Sequence, residues 1–121
     1  MATNIDKVVL SGSTGGMPIK VVATATTGTT IHTTGTSASI IDEVWLYATN
    51  TSASTVTLTI EYGATTNPDN RIIVGIPSMS GLSICVAGLI LVGTGSAGRT
   101  ITAFATTASV INIAGYINRI S

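Results

Sequence analysis

Residues 55–62 read Thr-Val-Thr-Leu-Thr-Ile-Glu-Tyr and alternate between polar and apolar side chains without a break. A period of two residues is typical of a β-strand with one face on a core and the other in water. A slip of one residue would exchange the two faces, so the register of this strand is well specified. The pattern predicts a strand that buries one set of side chains and exposes the other, with Val56, Leu58, Ile60 and Tyr62 inward and Thr57, Thr59 and Glu61 outward.

The segment before it, residues 40–50, is also interpreted as a strand, with apolar residues throughout 44–48. Its two faces are then Val44, Leu46 and Ala48 on one side and Trp45 and Tyr47 on the other. A short polar turn at residues 50–54 joins the two segments. Two strands joined by such a turn indicate a β-hairpin.

The rest of the chain continues as short stretches rich in Val, Ile and Thr, bounded by turn-forming residues and without helical periodicity. Further strands are expected at Lys7–Leu10, Ile19–Thr26, Thr29–Thr33, Arg71–Ile76, Leu82–Val86, Leu89–Val92, Thr100–Ala105 and Val110–Ile117. About eight to ten strands without a linker predict one all-β domain over residues 1–121, an antiparallel β-sandwich or jelly-roll-like fold. Residues 1–5 are expected to form a flexible N-terminal arm.

Two parts of the chain leave alternatives open. The Thr/Ser/Gly-rich tract from Thr24 to Ser39 fits either a mobile loop or a polar edge hairpin around Ile31. The segments Arg71–Ile76 and Leu89–Val92 are apolar on both faces. Their second face is expected to be covered by a neighbouring sheet or offered to another subunit.

The composition points to a protein that associates with other proteins. Five basic and five acidic residues among 121 give a formal charge of zero, whereas about a quarter of the residues of an ordinary soluble domain are charged. Without a basic patch, nucleic-acid binding lacks its main electrostatic contribution. No secretory leader is recognisable, and the longest apolar stretch is too short for a membrane span. We expect neither nucleic acid nor membrane as partner, and the lone Cys85 favours assembly in a reducing cytoplasm.

Residues 93–98, Gly-Thr-Gly-Ser-Ala-Gly, match the G-x-G-x-x-G spelling of a dinucleotide-binding loop. Such a loop must open into a helix whose N-terminus meets the phosphates, yet residues 99–104 continue as a strand. The segment is interpreted as a glycine-rich hairpin turn, and no cofactor is expected.

Residues for catalysis or metal binding are scarce. His32 is the only histidine, so a Ser-His-Asp triad would need it together with Asp42 and a serine, and no serine stands in a nucleophile motif. The carboxylates show no metal-ligand spacing. Cys85 has no cation near it in sequence and is interpreted as a small buried apolar residue. We expect no enzyme activity, no catalytic residue and no metal, and a structural or interface role for His32.

Residues 42–47 are the candidate partner-contact segment. Asp42 and Glu43 are the densest charge in the chain and would meet basic groups of another subunit or form a solvated strand edge. Trp45 and Tyr47 alternate onto one face, and aromatic side chains favour interfaces as well as cores. Asp42, Glu43, Trp45 and Tyr47 are therefore the predicted partner-interface residues.

The order of several segments resembles that of a known group of proteins. The most specific segments are Asp-Glu-Val-Trp-Leu-Tyr-Ala at 42–48 and Asn-Arg-Ile at 118–120. The others are Lys7–Ser13, Ile19–Val21, Thr29–Thr33 and Leu58–Gly63. Through them almost the whole chain resembles small virion structural proteins of tailed bacteriophages.

The resemblance implies a structural role in the phage particle. Small β-proteins there serve as cement or decoration on the capsid, often as trimers, or as neck and fibre components. The leading expectation is a homotrimeric cement protein on the capsid surface that binds the major capsid protein and stabilises the head. A neck, tail or capsid-fibre component remains an alternative, as does, from another class, a carbohydrate-binding attachment module. A hydrolase would depend on His32 alone.

Overall fold

The computed structural model describes residues 4–121. Within that range there is no helix, and so none that could cross a membrane. The regular structure consists of β1 (Ile5–Val9), β2 (Ile19–Lys20), β3 (Thr29–Thr33), β4 (Ile41–Asn50), β5 (Val56–Gly63), β6 (Arg71–Ile76), β7 (Ser83–Leu91), β8 (Thr100–Ala105) and β9 (Ile111–Ile120).

The strands form two antiparallel sheets that pack against each other. Sheet A has the order β1-β9-β4-β7, and the short β2 continues the β1 edge by pairing with the start of β9. Sheet B has the order β3-β8-β5-β6. From β2 onward, only the β5–β6 connection stays within one sheet, and every other connection crosses to the opposite sheet. This strand order is that of a jelly roll, so the predicted fold class is confirmed.

The crossing connections contradict three local predictions. β4 and β5 do not form a hairpin, because β4 pairs with β7 and β9 while β5 pairs with β6 and β8. Residues 93–98 likewise join sheet A to sheet B and are not a hairpin turn. The tract 24–39 holds a single edge strand, β3, and no hairpin. Alternation shows which face of a strand is buried, but strands of one sheet and of two facing sheets give the same alternation.

The core lies between the two sheets. β4 buries every second residue, and Val44, Leu46 and Ala48, which the sequence placed together on one face, have no exposed surface. β5 buries Val56, Leu58 and Ile60 as predicted, while Tyr62 is half-buried and Thr57 is exposed.

The predicted exposure of Thr59 and Glu61 is wrong, since they are 6% and 0% exposed. Both lie on the outer side of sheet B, where the chain between β2 and β3 covers Glu61. The Thr26 hydroxyl and the Gly28 amide each donate a hydrogen bond to its carboxylate.

Strand bounds follow the predictions most closely in sheet B, where β3, β6 and β8 match them to the residue. The two strands predicted at Leu82–Val86 and Leu89–Val92 are one strand, β7. Its pairing with β4 skips Cys85 and Gly88, which are bulged. The predicted strand Ile19–Thr26 is reduced to two residues.

Asn4 and Ile5, the last two residues of the predicted flexible arm, are paired with the end of β9 and the residue after it. Asn4 and Ser121 exchange two backbone hydrogen bonds, and Ile5 pairs with Ile120. The first three residues of the predicted arm lie outside the described part of the chain.

Candidate interaction surface

Three of the four predicted contact residues lie on the outer side of sheet A. The β-ladder places Trp45 opposite Tyr116, and Tyr116 opposite Val9. The adjacent row holds Glu43 and Asn118 of the neighbouring strands. Because residues paired in register point to the same side of a sheet, these residues form one surface, called the aromatic face below: Lys7, Val9, Glu43, Trp45, Tyr47, Tyr116 and Asn118.

The two large rings of the aromatic face pack against each other. Trp45 and Tyr116 are stacked with ring centroids 6.1 Å apart and planes 11° apart. The ammonium group of Lys7 lies 4.6 Å from the centre of the Tyr116 ring, a cation–π contact. At the other end of the row, a Cβ at Gly88 would come within 3.0 Å of Cζ2 of Trp45. The bulged glycine of β7 therefore makes room for the indole.

The polar groups of the aromatic face are bonded to one another. Oε1 of Glu43 accepts hydrogen bonds from Nε1 of Trp45 at 2.7 Å and from Nδ2 of Asn118 at 3.0 Å. The bonds from Asn118 and Trp45 hold the pKa of Glu43 below its usual value. The carboxylate thus stays ionised and fixes the indole ring, which gives the face one defined shape.

Asp42, the fourth predicted contact residue, points inward. It is 1% exposed and lies between the sheets, so the structure removes it from the predicted contact surface. Arg119 donates from Nε to Oδ1 at 2.7 Å and from Nη2 to Oδ2 at 3.0 Å, while His32 lies 2.8 Å from Oδ2. The cluster links β3 of sheet B to β4 and β9 of sheet A. The carboxylate of Asp42 can be buried because both of its oxygens accept hydrogen bonds from fixed donors.

The hydrogen bonds of His32 define its protonation. Its Nδ1 accepts a bond from the backbone N–H of Ser11 at 3.1 Å, so the ring proton is on Nε2 and is donated to Asp42. Burial lowers the pKa of His32, and the bond and charge of Asp42 offset this only in part. Burial alone would raise the pKa of Asp42, but the bonds from Arg119 and His32 outweigh it and lower that pKa.

A catalytic dyad would need a nucleophile on the free nitrogen of this histidine. The Ser11 hydroxyl instead accepts the backbone N–H of Thr33 at 2.7 Å, and it is the Ser11 amide that occupies Nδ1. With both ring nitrogens bonded and 1% of its surface exposed, His32 is arranged to hold the β1–β2 loop and both sheets together.

The glycine-rich segment after β7 uses its amides internally. Gly93 and Gly95 donate to the carbonyls of Ser37 and Thr36, and Thr94 donates to that of Ala97. A Cβ at Gly93 would collide with the backbone of Gly35 and Thr36. The glycines therefore permit close packing of two chain segments, and these amides do not form a phosphate cradle.

The outer side of sheet B has a different character. The ladders of β5 with β8 and β6 place four threonines and a buried carboxylate on this side of the sheet. The side chains that point outward from sheet B are Thr57, Thr59, Thr100, Thr102, Glu61, Arg71, Ile73 and Phe104. The Thr102 hydroxyl donates to Glu61 at 2.6 Å. Burial would raise the pKa of Glu61, but bonds from Thr102, Thr26 and Gly28 lower it. This threonine face also carries the Arg71 guanidinium, 5.2 Å from the centre of the Phe104 ring, and Ile73, which is 62% exposed.

Cys85 and Asn50 both lie in structural surroundings. Cys85 is half-buried on β7, and burial raises the pKa of its thiol to about 11, so it remains a neutral thiol at neutral pH. Asn50, which begins an Asn-Thr-Ser triplet, is 1% exposed and donates to the carbonyls of Ser54 and Ile76. It organises the turn between β4 and β5.

Sequence reasoning missed four members of the contact surface, namely Lys7, Val9, Tyr116 and Asn118. They lie on β1 and β9, far in sequence from Trp45, and only the β4–β9 and β1–β9 ladders bring them together. Alternation along residues 111–120 could have shown that Tyr116 and Asn118 lie on the same face of their strand. It does not show which strand is adjacent.

The strand order and the self-packed aromatic row define a jelly-roll sandwich with a candidate protein-contact surface on one side. Comparison with protein-family models, with curated proteins and with solved structures finds no match.

Proposed function

We propose that the protein is a structural component of a tailed-phage virion, namely a cement protein that binds the major capsid protein and stabilises the head. The virion assignment follows from the sequence resemblance, and the observation that carries the cement role is the difference between the two outer faces of the sandwich. One face is aromatic and bonds its own polar groups, whereas the other is covered with threonine. A protein that lies flat on a shell needs one face for the shell and one for solvent.

The aromatic face has the chemistry of a protein interface. Interface cores are enriched in aromatic residues and poor in charge. Its two charged groups, Lys7 and Glu43, already contact Tyr116 and Trp45 within the chain. When the face is covered, Glu43 keeps its two hydrogen-bond donors and Lys7 keeps its cation–π contact, which reduces the cost of removing these charges from water.

The body of the protein is suited to carrying load between capsid subunits. The His32–Asp42–Arg119 cluster ties the two sheets together from the inside, and Glu61 ties the β2–β3 segment to sheet B. A cement protein resists outward pressure by bridging neighbours, and each copy needs only a modest interface because many copies act together. Self-association, as the trimer expected from the sequence, would add to this effect.

A carbohydrate-binding attachment module is the second candidate, favoured by the stacked Trp45–Tyr116 pair on a jelly-roll face. Against it, the indole N–H donates to Glu43 and the Tyr116 ring carries Lys7. These contacts use the ring surface and the donor that a sugar would need. Binding of the purified protein to a glycan array would favour this candidate.

The test of the cement proposal is co-sedimentation of the recombinant protein with DNA-free shells of the phage that encodes it. Tyr47→Lys places a charge on the aromatic face, and Thr57→Lys places the same charge on the threonine face as a matched control. Tyr47 is partly exposed and Thr57 is exposed, so both variants should fold, as circular dichroism would verify.

Wild type and Thr57→Lys should saturate the shells at near-stoichiometric ratio to the capsid protein. Tyr47→Lys should bind at least tenfold more weakly, since an unpaired buried charge costs more than about 1.4 kcal/mol. Equal binding by both variants would remove the aromatic face from the interface. Failure of all three proteins to bind would overturn the cement proposal.

A further inference from the structure

We propose that a second copy of this chain covers the β7 edge of sheet A, so that the protein forms a closed homo-oligomer. The β7 edge is defined here as the exposed large apolar side chains on β7 and in the turn leading into it: Met79, Leu82, Ile84, Leu89 and Ile90. In the β4–β7 ladder Ile84 pairs with Tyr47 and Ile90 with Glu43, so these two side chains adjoin the aromatic face, and a second copy on the β7 edge would cover that margin of it.

These side chains are unusually exposed for their type. Met79 is 77% exposed, Ile84 63% and Ile90 60%. Five of the eleven large apolar residues exposed in the described part of the chain fall within residues 79–90. Single exposed apolar residues are ordinary, but five within twelve residues at one edge of a sheet mark an interaction site.

The two edges of sheet A are built differently. β1, at one edge, has five residues, including Asp6 and Lys7. β7, at the other edge, has nine residues, and no charged residue occurs anywhere from position 72 to position 98. Native proteins protect exposed edges with charge, proline or short strands. β1 is protected in this way, whereas β7 has neither charge nor proline and is therefore expected to be covered.

The size and neutrality of the β7 edge fit a second copy. At roughly 100 Å² of apolar surface for each side chain, five residues contribute on the order of 500 Å². Since about 60% of an interface is apolar, this corresponds to about 800 Å² on each partner, the size of a standard stable interface. An uncharged surface on a chain of zero net charge meets no repulsion from another copy of itself.

The bulges of β7 favour a closed assembly over an open fibre. Cys85 and Gly88 are skipped in the ladder to β4, and Gly88 has a φ of 77°. Bulges bend and twist an edge strand and interrupt its hydrogen-bonding row. A second copy would then pack by side chains over the edge, and a continuous sheet that extends from copy to copy is disfavoured.

The experiment is light scattering of the purified protein over a wide range of concentrations. Ile84→Lys and Ile90→Lys introduce charge at the two ends of the β7 edge. Ile73→Lys is the matched control, because Ile73 is 62% exposed on β6, the corresponding edge strand of sheet B. Circular dichroism and thermal unfolding verify that every variant is folded.

Wild type and Ile73→Lys should have a fixed mass of two or three chains, and both β7 variants should approach the 12.2 kDa of one chain. A monomeric wild type, an equal loss of mass in Ile73→Lys, or a mass that grows without limit would each overturn the inference. A monomer that still binds shells would overturn only this inference, whereas a closed oligomer that ignores shells would overturn only the cement proposal.

Discussion

Asp42 is stable inside the sandwich because three hydrogen bonds, two from Arg119 and one from His32, reach its two carboxylate oxygens. Aspartate is rarely buried without a partner, and from the sequence alone its charge was therefore interpreted as a surface feature. His32 and Arg119 lie 10 and 77 residues away. No local pattern connects residues so far apart, so this part of the site was beyond sequence prediction. Glu43, Trp45 and Tyr47 could be placed together because they share one strand.

The His32–Asp42–Arg119 cluster predicts that stability falls at mildly acidic pH. The pKa of His32 is lowered in the fold from its usual 6.5. As pH falls through that value, the unfolded chain takes up a proton that the folded chain resists, so the free energy of unfolding decreases until the folded pKa is reached. The pKa of Asp42 is lowered from 3.8, and its contribution is present above that value and lost as pH falls through the folded pKa.

Denaturant unfolding between pH 7.5 and pH 5 would measure the first of these effects. We expect the midpoint to decrease below about pH 6.5 in the wild type. His32→Gln removes the only histidine and should give a nearly flat profile over the same range, from a lower starting stability. A wild-type midpoint that is constant or rises on acidification would contradict the assigned neutral state of His32.

At the scale of strands, alternation identified most elements and their buried faces but not their partners. β4 and β9 pair along ten residues, although more than sixty residues separate them. In a jelly roll nearly every connection crosses between sheets, so the ladder partners of a strand are seldom its neighbours in sequence. The hairpin predicted for β4 and β5 failed for this reason, whereas the division of β4 into two faces was predicted correctly.

The β4–β9 pairing requires a glycine at position 115. A Cβ there would collide with the backbone carbonyl oxygen of Trp45, which a rigid ladder cannot move away. We expect Gly115→Ala to lower the free energy of unfolding by at least about 2 kcal/mol. Gly35→Ala is the control, because no atom lies within 4 Å of the added Cβ, and it should change stability by less than about 0.5 kcal/mol. Equal effects in a urea titration would contradict the ladder register.

At the scale of the whole molecule, three surfaces are proposed to make different contacts. The aromatic face is proposed to meet the shell, the β7 edge that adjoins it a second copy, and the threonine face the solvent. Low charge and abundant threonine suggested from the sequence that association is normal for this chain. The composition could not place these residues on separate surfaces, because the jelly-roll connections decide which strand of which sheet each segment joins.

The central claim is that the protein is a cement component of the capsid, and the most direct test is its copy number in purified phage particles. Quantitative mass spectrometry against the major capsid protein as internal standard would give this number. We expect a ratio that approaches one copy for each capsid protein. A ratio of a few copies per particle would place the protein in the neck, tail or fibre, and its absence from particles would contradict a role in the virion.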